Sequence, residues 1–211
     1  MKKVGVATDS HSGILPQEAE QLGILVLPMP FYFGEECYYE EVSLTRTTFF
    51  ERLNAGEKVS TSQPSPESLM DFWREGLKQY EQIVYIPMSS GLSGSCGTAM
   101  MLATEEEFED KVFVVDNGRV STPLHRSVLD ALELAEEGFS AERIKAILEE
   151  EKGYVDSICN QVEQFLKGIS RRKNPSQIAI VSEIIKKSEA NKTAKKDIVR
   201  TGEEYVKKFL A

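Results

Sequence analysis

Apolar residues recur along this chain in two rhythms, short runs of four to eight and stretches spaced at three and four, and the two alternate. Lys3 to Ala7 reads as a strand closed by Thr8-Asp9-Ser10, after which Gly13 and Pro16 open a helix over Gln17 to Leu22. Ile24 to Pro28 is the next strand. Phe31 to Tyr39 alternates poorly and is expected to form a hairpin or an extended loop. Ser43 and Thr45 can cap a helix carrying Phe49, Phe50 and Leu53. Ser65-Pro66-Glu67-Ser68 is a helix start, with proline in the first turn and Leu69, Phe72, Trp73 and Leu77 on one face. A strand at Ile83 to Ile86 follows, then a helix carrying Ala99, Met100, Leu102, Ala103 and Phe108. Lys111 to Val115 reads as another strand, ending in Asp116-Asn117.

Strands alternating with helices in this way predict an α/β fold, a mostly parallel sheet with helices on both faces. The pattern then changes. Two helices are expected over Leu124 to Glu136 and Ala141 to Glu151, with Ser140 as the N-cap of the second. Beyond Gly153 no strand is convincing, and the expectation is a short, mainly helical C-terminal region over 154–211 behind an α/β domain over 1–153.

Composition narrows the partners. Of 211 residues 41% are hydrophobic, enough for a real core, and the net charge of -9 argues against nucleic acid or an anionic membrane as partner. No apolar stretch approaches the roughly 18 residues that span a bilayer, and the first residues run straight into a strand without a signal-peptide pattern, so a cytoplasmic protein is expected. Cys37, Cys96 and Cys159 are odd in number and share no Cys-x-x-Cys spacing, which argues against a disulfide framework or a thiolate metal site.

The chemistry gathers in two runs, Ser60-Thr61-Ser62-Gln63-Pro64-Ser65-Pro66 and Ser89-Ser90-Gly91-Leu92-Ser93-Gly94-Ser95. In an open parallel sheet, ligands bind beyond the carboxyl ends of the strands, where Asp9, Ser10, Ser89, Ser90, Ser93 and Asp116 are expected to lie. Ser93-Gly94-Ser95 would open a helix there, directing backbone N–H groups toward an anion, while Thr61, in a loop held by Pro64 and Pro66, would add a hydroxyl from the side. Such residues also cap helices and make turns. The two runs together, beside Asp9 and Asp116, favour a site.

Catalytic readings fit less well. Gly91-Leu92-Ser93-Gly94-Ser95 fails the Gly-x-Ser-x-Gly elbow at Ser95, and the available histidines, His11 and His125, read as a loop residue and a helix-surface residue. No lysine follows the glycines as a phosphate-binding loop requires. Asp9 and Asp116 could hold a metal, but strand-end aspartates more often accept hydrogen bonds from loop amides. Neither a metal nor a cofactor is expected.

Thr8-Asp9-Ser10, Thr61-Ser62-Gln63-Pro64, the Ser89 to Ser95 run and Val114-Val115-Asp116 resemble, in order and spacing, the DegV family, the fatty-acid-binding proteins that serve bacterial fatty acid kinase. The resemblance covers about residues 1–152. It implies that Thr61 and Ser93 hold the carboxylate of one long-chain fatty acid, with Asp9, Ser10, Ser62, Gly94, Ser95 and Asp116 as supporting residues. It also implies a carrier rather than an enzyme, presenting the acid to an ATP-binding kinase subunit that makes an acyl phosphate for phospholipid synthesis. Phe31, Phe33, Met88, Leu92 and Met100 are candidates to line the acyl channel. The chain departs from the family after residue 152. Phe165 to Arg171 resembles a reduced form of a Gly-Gly-Arg-Ile segment, and no histidine follows His125 to complete the carboxylate site. Ile178, Ile180, Ile184 and Ile185 could cover the acyl chain; the alternative is a degenerate member that binds a partner and no lipid.

Overall fold

Alternate residues of the central strands feed two separate hydrophobic cores, one on each face of a four-stranded sheet. The computed structural model describes residues 2–40 and 42–150 of this chain. Strands β1 (Lys2–Asp9), β2 (Leu25–Leu27), β3 (Pro30–Phe33), β4 (Glu36–Tyr39), β5 (Val59–Thr61), β6 (Tyr80–Ile86) and β7 (Val112–Val114) form two sheets. The larger runs β2-β1-β6-β7 and is parallel throughout; the smaller runs β4-β3-β5 and is antiparallel. The described residues lie in the unit Met1–Glu149, apart from residue 150, and the helices expected over 154–211 lie outside them.

The period of two in β1 and β6 divides the sheet residues between its faces. Val6, Val84 and Ile86 join Ala19 of α1 (Pro16–Leu22), Leu124, Val128 and Ala131 of the later helix Ser121–Glu136, and Ile144 and Leu148 of the helix over 141–150. Ala7, Ile83 and Tyr85 join the opposite core, with Leu69 and Trp73 of Pro66–Leu77 and Cys96, Ala99 and Leu102 of Ser95–Leu102. In chain order the helices after α1 are α2 (Arg46–Asn54), α3 (Pro66–Leu77), α4 (Ser95–Leu102), α5 (Ser121–Glu136) and α6 (141–150). Helices α1, α5 and α6 therefore cover one face and α3 and α4 the other, the α/β arrangement that the alternating pattern predicts.

Several boundaries depart from the sequence expectation. The helix expected to carry Phe108 ends at Leu102, and Phe108 sits in the turns that follow, fully buried with its ring centroid 5.2 Å from that of Trp73. Thr45 does cap α2, accepting from the Thr48 N–H at 3.3 Å, whereas Ser43 takes the Tyr39 N–H at 2.8 Å and closes the loop before it. Strand β5 is an additional element. It pairs Phe31 with Thr61, so Thr61 ends an edge strand instead of lying in a loop. A Val-Ser-Thr triplet is too short to show a period by itself, and only its partner β3 makes it a strand.

The outer edge of β7 is closed by side chains. Lys145 of α6 donates to the Val114 carbonyl at 2.6 Å, and Glu149, one turn on and paired with Lys145, accepts from the Asp116 N–H at 3.2 Å. These bonds satisfy backbone groups that an edge strand leaves open to another chain.

Gly5 marks the tightest approach within the sheet. A Cβ there would lie 2.6 Å from ring atoms of Tyr80, and that ring is held by its hydroxyl, which donates to the Gly23 carbonyl at 2.9 Å. Gly5→Ala is therefore expected to lower stability by about 1–3 kcal/mol, the usual cost of overpacking, measured by urea unfolding. An unchanged midpoint would mean that the Tyr80 ring yields freely.

Candidate functional site

The order of the parallel sheet reverses between β1 and β6, and the crevice beyond their carboxyl ends is the place where such folds receive ligands. Asp9 ends β1 there and is fully buried. One carboxylate oxygen accepts from the Met88 N–H at 2.8 Å, and the other accepts from the His11 N–H at 3.0 Å. Burying a carboxylate is costly unless such partners replace water, and here two backbone donors do so. Asp9 thereby fastens the loop after β6 to the end of β1.

His11 Nδ1 stands 3.3 Å from the same carboxylate. That contact is long for a hydrogen bond and off its preferred direction, so it acts as an ion pair that strengthens when the imidazole is protonated. The Asp9 carboxylate raises the His11 pKa above the ordinary histidine value; burial opposes it, and Glu40 adds a smaller upward push.

The segment after β6 folds into a tight turn. The Leu92 and Ser93 N–H groups both donate to the Ser89 carbonyl, at 3.0 and 3.1 Å, and the Ser89 N–H donates to the Arg119 carbonyl at 2.8 Å. Gly94 is the N-cap of α4, and Ser93 Oγ accepts from the Ser95 N–H at 3.1 Å. Ser95 is buried, and its hydroxyl has no hydrogen-bond partner among the described residues. Ser90 Oγ donates to Asp116 at 2.7 Å, linking this turn to the end of β7.

The second hydroxyl-rich run meets the first through one side chain. A Cβ built on Gly94 would lie 3.3 Å from Gln63 Oε1, so the Gln63 carboxamide rests on the glycine that begins α4. Two residues earlier, Thr61 ends β5 with an exposed side chain. Ser62 is occupied locally, its N–H donating to the Pro30 carbonyl at 3.4 Å and its hydroxyl to the Gln63 carbonyl at 3.0 Å.

Not every candidate takes the expected place. Ser10 Oγ accepts from the Met29 N–H at 3.1 Å and so braces the linker between β2 and β3. Phe31 and Phe33 are buried in an aromatic cluster with Phe49 and Tyr38. Leu92 and Met100 are exposed, and so is Met101, which the sequence reading passed over. Its signal was there to find: two adjacent methionines cannot both face the core of one helix. Among the described residues no group of His, Cys, Asp and Glu is arranged to hold a metal ion, and no helix is long and apolar enough to cross a membrane.

Hydroxyls and the start of α4 thus stand beyond the carboxyl ends of a parallel α/β sheet, at its switch point, where folds of this class receive ligands. The DegV family, described as an uncharacterised protein family, matches residues 3–160, and the chain belongs to it. A DegV domain-containing protein of Halalkalibacterium halodurans is 34% identical over 154 residues, which cover 72% of this chain and 54% of that protein. Among solved structures, a fatty-acid-binding DegV family protein from Thermus thermophilus is 34% identical with a TM-score of 0.63, covering 71% of this chain and 53% of its own. DegV from Bacillus subtilis, a fatty acid binding protein, is 32% identical with the same TM-score of 0.63, over 72% and 55%. The chain spans about half the length of the curated relatives it matches.

Folding raises the His11 pKa, so protonated His11 favours the folded state. That contribution is complete below about pH 6.5, the ordinary histidine value, and is lost as pH rises through the higher folded value. The stability gap between wild type and His11→Asn, followed by urea unfolding, should therefore shrink between about pH 6 and pH 8. An equal gap at both ends would show that Asp9 does not sense the imidazole charge.

Proposed function

We propose that this protein binds one long-chain fatty acid, with the carboxylate held by Thr61 and Ser93, and presents it to an ATP-dependent fatty acid kinase subunit. The observation that carries the reading is the seating of Gln63 on Gly94, which sets the Thr61 segment against the Ser93 turn at the switch point. Related proteins of the same family with this fold bind fatty acids, which supports extending the same ligand to this chain.

The physics suits such a ligand. Burying about fifteen methylenes is worth on the order of 12 kcal/mol before ordering and association costs, so the acyl chain supplies affinity. Hydroxyls and a helix start then satisfy the carboxylate without neutralising it, which leaves it reactive toward phosphoryl transfer. Residues 1–153 would be the lipid-binding domain. The product would be an acyl phosphate for phospholipid synthesis, in the cytoplasm.

A carrier fits better than a hydrolase. Ser93 Oγ accepts from the Ser95 N–H, and the histidines pair elsewhere, His11 with Asp9 and His125 with Glu18 at 3.2 Å. Among the described residues no base is hydrogen-bonded to Ser93 to take its proton. The second reading is an interaction protein without lipid.

Native mass spectrometry of the full chain incubated with oleate or palmitate should show one bound acyl chain. Thr61→Ala and Ser93→Ala should each weaken binding by about tenfold or more, the worth of one hydrogen bond to a charged group. Empty protein after incubation, or variants that bind as wild type does, would overturn the proposal.

A further inference from the structure

We infer that Gln63 is a third head-group residue, its carboxamide N–H donating to the carboxylate that Thr61 and Ser93 hold. The inference rests on the fatty-acid reading above and deepens it. Three observations meet at this side chain. Its Oε1 lies against Gly94, the N-cap of α4, close enough that a methyl group on that glycine would press on it at 3.3 Å. Its own backbone is fixed, since the preceding residue bonds the Pro30 carbonyl through its N–H and the Gln63 carbonyl through its hydroxyl. And the carboxamide, exposed at the surface, has no hydrogen-bond partner among the described residues.

A glutamine carboxamide carries two N–H donors and one acceptor. With Oε1 turned to the backbone at Gly94, the donors are left for a ligand. Gly94 also explains the spacing: without a Cβ, the start of α4 admits the amide close to Ser93, whose hydroxyl already accepts from Ser95 and has only its own proton left to donate. One proton from Ser93 and one from Thr61 leave carboxylate lone pairs unsatisfied, and a neutral amide donor supplies another bond without adding charge.

The charge of residue 63 then decides between ligands. Oleate and oleyl alcohol share an acyl chain and differ in head-group charge, so binding of both to the full chain should be compared for wild type, Gln63→Ala and Gln63→Glu, with thermal melts confirming that each variant folds. Gln63→Glu should lose roughly tenfold or more in oleate affinity at pH 8, by repulsion between two carboxylates, and keep its affinity for oleyl alcohol. The oleate deficit should narrow toward pH 5 as the introduced carboxylate takes up protons. Gln63→Ala should show a smaller loss for oleate that does not vary with pH. If both variants bind oleate as wild type does while Thr61→Ala does not, the inference is overturned and the fatty-acid reading stands. If Gln63→Glu loses both ligands equally at every pH, Gln63 shapes the site without touching the head group. Wild type that takes up neither ligand removes the fatty-acid reading and this inference with it.

Discussion

The buried carboxylate of Asp9 is the constraint on which the crevice depends. It has no exposure to water, so its charge must be met from within, and two backbone N–H groups from different segments meet it. One of them, from Met88, belongs to the loop after β6. That loop turns on the Ser89 carbonyl, delivers Ser93, and starts α4 at Gly94. Each step inherits its position from the one before. An apolar residue at position 9 would still end a strand, but it would leave the Met88 N–H without this acceptor and the serine turn without this anchor.

Around that anchor the polar groups divide their tasks. Thr8 donates to the Ile86 carbonyl at 2.8 Å and Ser10 braces Met29, so hydroxyls beside the site serve the scaffold. Gln63 and Thr61 arrive from the antiparallel sheet, an element with its own aromatic core of Phe31, Phe33, Phe49 and Tyr38. The Ser93 turn thus follows the parallel sheet and the 61–63 segment follows the antiparallel one, and the two meet where Gln63 lies against Gly94. Exposed Leu92, Met100 and Met101 lie on the same turn and helix that carry Ser93. Leu92 adjoins Ser93 in the turn, whereas Met100 and Met101 lie in the last turn of α4.

Much of this was legible in the sequence, and the reasons differ by element. The parallel strands are runs of buried aliphatic residues, and α3 has proline in its first turn and a capping serine, Ser65, that accepts from the Ser68 N–H at 3.1 Å. Both are local signals. Phe108 misled because an apolar residue at helical spacing looks the same whether the helix continues or ends, and its place is set by Trp73 across the core. Strand β5 was hidden because its hydrogen bonds go to β3, distant in the chain. Ser10 was placed at the right strand end, but what its hydroxyl bonds to depends on where Met29 passes.

The sequence by itself determined the elements whose causes lie within a few residues: strand and helix periods, caps, the alternation that makes the sheet parallel, and the residue types gathered at its carboxyl ends. The tertiary structure alone decided which of those residues meet. Hydrogen bonds such as Asp9 to Met88, and contacts such as Gln63 on Gly94, join segments far apart in the chain, and no local preference encodes them. The first exists because the packed faces of the sheet leave the Asp9 carboxylate no water to turn to; the second exists because the chain brings β5 past the start of α4.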